Sequence, residues 1–266
     1  MARFTTTAAV KKQWQSLIKK ENKFIESNKK EPSLSITSKI EEKIPDNLQN
    51  MLNGAFNKAF ALIFEKGTKA IELTYFKKWH QEDFDHHTEE IEKKHNGSNL
   101  KAFSKKARET RSKNLVFSGI EGIGFGIIGA GIPDIPVLTV MILKGIYEVA
   151  LSYGFSYEDP QERIFILKLI QSAMSHGEDF LKIDKEINQW IHNENHQFKT
   201  ELEDQIKATS ESISTELLIT KFIQGIPVAG VAGGVYDVVY LNKITKYADL
   251  KYQRRFLFSK FKKMDA

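Results

Sequence analysis

The chain has no cysteine among its 266 residues. That excludes disulfides, thiolate nucleophiles, zinc fingers and iron–sulfur clusters, and it leaves the redox compartment open. Long hydrophobic runs are missing too. The longest uncharged stretches in the two most apolar regions are residues 122–133 and 222–236. As helices they would reach roughly 18 and 22 Å against a hydrocarbon core of about 30 Å, so neither is a conventional membrane span. The first lysines arrive before any apolar stretch of signal-peptide length, which argues against a cleaved signal and for a cytoplasmic location. No run of alternating β-branched residues reads as a strand, so the expected class is all-α.

What is present is a chain that can bury a large core, with 41% hydrophobic and 27% charged residues. Lysine and arginine total 39 against 34 acids, a formal net charge of +5. That mild excess suits an anionic membrane or nucleic acid without demanding either.

Residues 5–28 place Val10, Trp14, Leu17, Ile18, Phe24 and Ile25 at helical spacing among lysines, which predicts a basic amphipathic helix. A Ser/Thr-rich linker with Pro32 follows, so residues 1–45 read as an appendage to a helical domain over 46–266. Leu48 to Phe64 keep i, i+3, i+4 spacing, with Gly67 as the stop. Further helices are expected from about Thr68 and near Lys101 to Lys113, and an almost wholly apolar one between Ile135 and Tyr153. The last belongs in a core or in lipid. Asp159-Pro160-Gln161-Glu162 is a capping-box-like start for a helix that breaks near Gly177. Ile183 to Ile206 then predict one long helix, ended or kinked by the polar cluster 209–215.

Two glycine-rich segments stand out. In the first, Gly122, Gly126, Gly129 and Gly131 accompany Phe125, Ile127, Ile128 and Ile132; in the second, Gly230, Gly233 and Gly234 accompany Ile226, Val228, Val231 and Val235. Neither has the strand, helix start and acid of a dinucleotide fingerprint, and there is no GxxxxGK[ST], so no nucleotide cofactor is expected. Small residues at spacings of three to five permit close helix approach, in a soluble helical hairpin or in apolar hairpins that dip into one leaflet. In the second case the named Phe, Ile and Val side chains would contact acyl chains. The segments also echo one another: residues 131–138 align with 234–241, matching Asp134 with Asp237. These two acids are either helix caps or a buried acidic pair.

From Lys243 to Asp265, eight basic residues face two acids, and Tyr247, Tyr252, Phe256, Phe258 and Phe261 interleave with them. Lys251, Arg254, Arg255, Lys260, Lys262 and Lys263 are the expected basic surface, for anionic lipid first and single-stranded nucleic acid second. Histidines carry the enzyme alternative, a metal-dependent hydrolase. His80, His86, His87 and His95 share one polar region, with Glu92 and His95 at i, i+3, and His192 and His196 lie one turn apart. The second Glu-x-x-His of a di-metal site and the His-Glu-x-x-His of a zinc protease are both absent, and there is no GxSxG elbow, so no metal or catalytic residue is expected.

The block GIGFGIIGAGIPDIPVLTVMILKGIYEVALSYGF, then EDPQERIFILKLI, and KFIQGIPVAGVAGGVYDVVYLNKITKYADLKYQRRFL near the end together resemble the EcsC family of bacterial proteins, named for a protein encoded alongside an ABC transporter. The resemblance covers roughly residues 50–260 and leaves the first ~45 particular to this chain. Asp237 stands where the family more often has asparagine. The apolar segments and the basic tail lead to the expectation of a binding or accessory role at the inner face of a membrane, with anionic lipid and a membrane protein such as a transporter as partners. The resemblance implies an all-helical, membrane-associated protein of poorly defined activity. It supplies no catalytic residues.

Overall fold

A computed structural model describes residues 2–30, 44–66, 134–193, 197–223 and 235–265; for 2–7, 9, 66, 134, 223, 235–238 and 261–265 it describes the backbone alone. These residues form seven helices: α1 (Ala2–Asn28), α2 (Asp46–Lys66), α3 (Asp134–Ser152), α4 (Pro160–Ala173), α5 (Gly177–His192), α6 (Leu202–Ile223) and α7 (Val235–Asp265). No strand occurs among the described residues, and the chain is an all-α bundle.

Local sequence sets several boundaries. The carboxylate of Asp159 accepts from the backbone N–H groups of Gln161 and Glu162, and Pro160 opens α4 where its missing N–H costs nothing. Gly154 and Gly177, at φ 77° and 58°, turn the chain out of α3 and into α5 through conformations that side chains disfavour.

The centre is α7, which packs on α1, α3, α4 and α5, while α2 and α6 close the bundle against α3 and α4. Direction follows from paired contacts. Gly145 of α3 lies against Thr245, and the Tyr153 hydroxyl donates to Asp249 at 2.9 Å, so α3 and α7 run the same way. Phe24 stacks on Tyr247, while Glu21 meets Lys251 and Arg254, so α1 runs the opposite way. Consequently the chain enters α3 at residue 134 and α7 at residue 235 on the same end of the bundle. Residues 135–152 are, among the described residues, the helix apolar and long enough to cross a membrane, with mean hydropathy 1.6, yet 72% of that window is buried. Packed against α7 and α2, α3 is a core helix.

Three expectations change. First, α1 is no appendage: Val10, Leu17 and Phe24 are buried in the same apolar cluster as α7, each contributing about 1.5–3 kcal/mol. Second, the apolar spacing from Ile183 to Ile206 does not make one helix. The chain is extended at Asn193, with φ −126° and ψ 103°, and restarts as α6 at Leu202. Third, α6 runs straight through the 209–215 cluster. Thr209 donates to the Leu167 carbonyl at 3.2 Å, and Ser212 donates to Ala208 at 3.1 Å. These two hydroxyls, which would compete with the helix in water, are instead used across or within it.

Candidate functional site

No single face of α7 is apolar, because its charged residues point inward at partners on four neighbours. Lys251 is 1% exposed. Its ammonium meets Asp184 at 2.7 Å, Glu21 at 3.3 Å and the Asn188 side-chain oxygen at 2.9 Å. Three N–H donors thus have three acceptors. Asp184 also accepts from the Tyr247 hydroxyl at 2.6 Å and from Asn188 at 2.8 Å, and Tyr247 in turn accepts from Ser172 at 3.0 Å. Burial and the Asp184 charge hold the Tyr247 phenol well above its ordinary range, so it stays a donor.

Glu21 bridges to a second cation. Its carboxylate takes both forks of the Arg254 guanidinium, with the Nε contact at 2.9 Å, while that guanidinium lies 5.1 Å over the Trp14 ring. The buried set Glu21, Asp184, Lys251 and Arg254 is therefore electrically balanced. At its edge, His192 Nε2 sits 3.4 Å from Arg254 and its ring packs on Phe258. Burial and the Arg254 cation lower its pKa against the pull of Glu21, so the imidazole is neutral near pH 7. A shallow groove over α5 is lined by Asp184, Lys185, Asn188, Gln189, His192 and Asn193.

Two further clusters share α7. Glu162 accepts from Tyr252 at 2.6 Å and from Arg255 at 2.6 Å, with the guanidinium over Phe155, Trp190 and Phe165 at 4.0, 4.6 and 5.6 Å. Burial pushes the Glu162 pKa up, and Arg255 and Tyr252 only partly offset it. Toward the start of α7, Glu216 meets His176 at 3.1 Å and Lys243 at 3.4 Å. Burial alone would raise the Glu216 pKa, but the His176 hydrogen bond and the Lys243 charge outweigh it and hold the carboxyl below its usual range. The ion pairs and hydrogen bonds of these clusters tie α7 to α1, α4, α5 and α6.

Of the expected basic surface, the described residues Lys251, Arg254 and Arg255 are turned inside. Lys251 is buried, Arg254 and Arg255 are 12% and 24% exposed in their side chains and ion-paired, and Lys260 lies 5.5 Å over Phe256. Each would cost several kcal/mol to bury alone, and α1, α4 and α5 supply the counter-charges. Tyr247, Tyr252 and Phe256 are core residues, not stacking platforms. The side chains of Lys262, Lys263, Phe261, Asp134, Asp237 and Val235 lie outside the described residues, as do the rest of both glycine-rich segments, His80, His86, His87, Glu92, His95 and His196. Among the described residues no group of three or more His, Cys, Asp or Glu could hold a metal ion, and His192 faces an arginine.

Sequence reasoning missed the acidic partners, although a signal existed. Glu21 falls in the inward stripe of Leu17 and Phe24, and Asp184 in that of Phe180, Ile187 and Ile191. An acid on an apolar stripe asks for a buried cation.

The EcsC protein family profile matches residues 9–257, so the family likeness includes α1 and is not confined to residues 50–260. Protein EcsC of Bacillus subtilis (strain 168) is 24% identical over 166 residues, 59% of this chain and 60% of that protein. The chain thus spans less than two thirds of the length of that curated relative. No solved structure matches. With the profile covering nearly the whole chain, including the central helix and the helices that neutralise its charges, this protein belongs to the EcsC family.

Proposed function

We propose that the chain is a membrane-associated binding or accessory protein that works at the inner face of a bilayer, beside a membrane protein such as a transporter. The observation that carries this reading is the common direction of α3 and α7. It brings the described residues that follow both glycine-rich segments to one end of the bundle, so a single bilayer surface can receive both. Apolar, glycine-rich corners too short to span suit insertion into one leaflet. The ion clusters that tie α7 to its neighbours support a rigid scaffold more than a catalyst.

The test is flotation with phosphatidylcholine vesicles at high salt, where apolar insertion survives and electrostatic attraction does not. The wild type is expected to float, and a variant with Phe125→Asp, Ile127→Asp and Val231→Asp to stay at the bottom. Equal flotation of the two, or none by the wild type, would overturn the reading.

A further inference from the structure

The chain's outward positive charge has a different home from the one its composition suggests. Helix α1 turns Val10, Gln13, Leu17, Glu21, Phe24 and Asn28 inward, and Glu21 is consumed by Lys251 and Arg254. On its outer side Lys11, Lys12, Lys19 and Lys23 are exposed and form no ion pair among the described residues. At 3.6 residues per turn, Lys12, Lys19 and Lys23 fall within about 40° of one line, and they span roughly 16 Å along the axis. From residue 11 to 28 the other acid is Glu26, which is taken by Lys29 at 2.6 Å. The result is a cationic ridge along α1 with no counter-charge among the described residues. It runs along the flank beside the second half of α7, since Phe24 packs on Tyr247 and Glu21 meets Lys251 and Arg254.

We propose that this ridge is a docking surface for the anionic headgroups of a lipid bilayer, a partner choice that rests on the membrane reading above. Charge complementarity selects an anionic occupant, and the shape of the ridge selects a broad surface. A single-stranded nucleic acid asks for a groove with aromatic platforms. Here Tyr247, Tyr252 and Phe256 are buried, and Trp14 lies under Arg254. The ridge lies on the flank of the bundle, so a bilayer that also receives the glycine-rich segments would have the bundle lying along α1. Glu21 has a double effect: it neutralises the interior cations and leaves the lysines of its own helix as the outward charge.

The experiment measures full-chain binding to phosphatidylserine-containing and pure phosphatidylcholine vesicles at low and high salt. It compares the wild type, a Lys12→Gln, Lys19→Gln, Lys23→Gln triple variant, the corresponding triple Lys→Arg variant and the corner variant. A lysine near an anionic surface is worth about fivefold in binding, so the glutamine triple should bind phosphatidylserine vesicles roughly a hundredfold more weakly at low salt. The arginine triple should bind as the wild type does, and high salt should erase the difference. Unchanged thermal melting of the glutamine triple confirms that only the surface was altered. Wild-type-like binding by the glutamine triple, or no preference of the wild type for phosphatidylserine, would overturn the proposal. So would tighter binding to a single-stranded oligonucleotide than to vesicles that the same lysines control. Loss confined to the glutamine triple, with the corner variant unaffected, would sink the insertion reading and leave the ridge standing. The reverse pattern would sink the ridge alone.

Discussion

Replacing Lys251 by methionine tests the central ion cluster most directly. The methionine keeps the length and the apolar stem of the lysine, so packing against α1 and α5 is nearly preserved. Charge is not. Glu21 retains Arg254 at 2.9 Å, and Asp184 retains the Tyr247 hydroxyl at 2.6 Å and the Asn188 amide at 2.8 Å. However, Asp184 loses the cation at 2.7 Å while it is only 6% exposed. A buried carboxylate stripped of its partner costs about 3–5 kcal/mol. In a chain of this size that is a fall in Tm of about 10 °C. Adding Asp184→Asn removes the orphan charge. Tyr247 can still donate to the amide oxygen, and Asn188, released from Lys251, can rotate its own amide to accept. The double variant should therefore recover most of the loss. Urea unfolding followed by far-ultraviolet circular dichroism gives the three free energies. A cost below about 1 kcal/mol for Lys251→Met, or a double variant no more stable than that single one, would refute the reasoning.

Gly145 and Gly54 should respond oppositely to alanine. A methyl at Gly145 would lie 2.7 Å from Thr245 Cγ2, whose rotamer is held by a 2.6 Å hydrogen bond from Oγ1 to the Leu241 carbonyl. Gly145→Ala should cost about 1–2 kcal/mol despite the gain in helix propensity, with recovery on adding Thr245→Ser. Nothing lies within 4 Å of a methyl at Gly54, so Gly54→Ala should stabilise by up to about 1 kcal/mol; thermal melting reads both changes. For Glu162, whose folded pKa is raised by burial, the native state holds its proton more tightly than the unfolded chain does. Its contribution to stability is fully present below the unfolded value and is lost as pH rises through the folded one. Wild-type stability minus that of Glu162→Gln should therefore decline as pH is raised from about 4.5, the ordinary carboxyl range. A flat or rising difference in urea midpoints would contradict the burial argument.

Helical periodicity was legible wherever one face of a helix is apolar. Leu17 with Phe24 and Phe56 with Phe60 announced buried stripes, and Asp159-Pro160 and Gly177 announced boundaries. Periodicity also misled, because apolar residues can keep their spacing across a break, as between Ile191 and Leu202, with the backbone extended at Asn193. The 209–215 hydroxyls read as a stop because a single sequence does not show that Thr209 faces the Leu167 carbonyl.

The basic tail marks the same boundary between kinds of information. Composition fixed that α7 carries many cations, and it could not say where they point. Lys251, Arg254 and Arg255 face Glu21, Asp184 and Glu162, which lie in other helices and up to 233 positions away in the chain. Thus the sequence by itself determined an all-helical chain, its caps and turns, its family and its net charge, since these depend on local spacing and on counting. Only the tertiary structure decided which charges are spent inside and which face outward. The energy of a buried charge depends on the distance to its counter-ion and on the exclusion of water, and helix packing sets both.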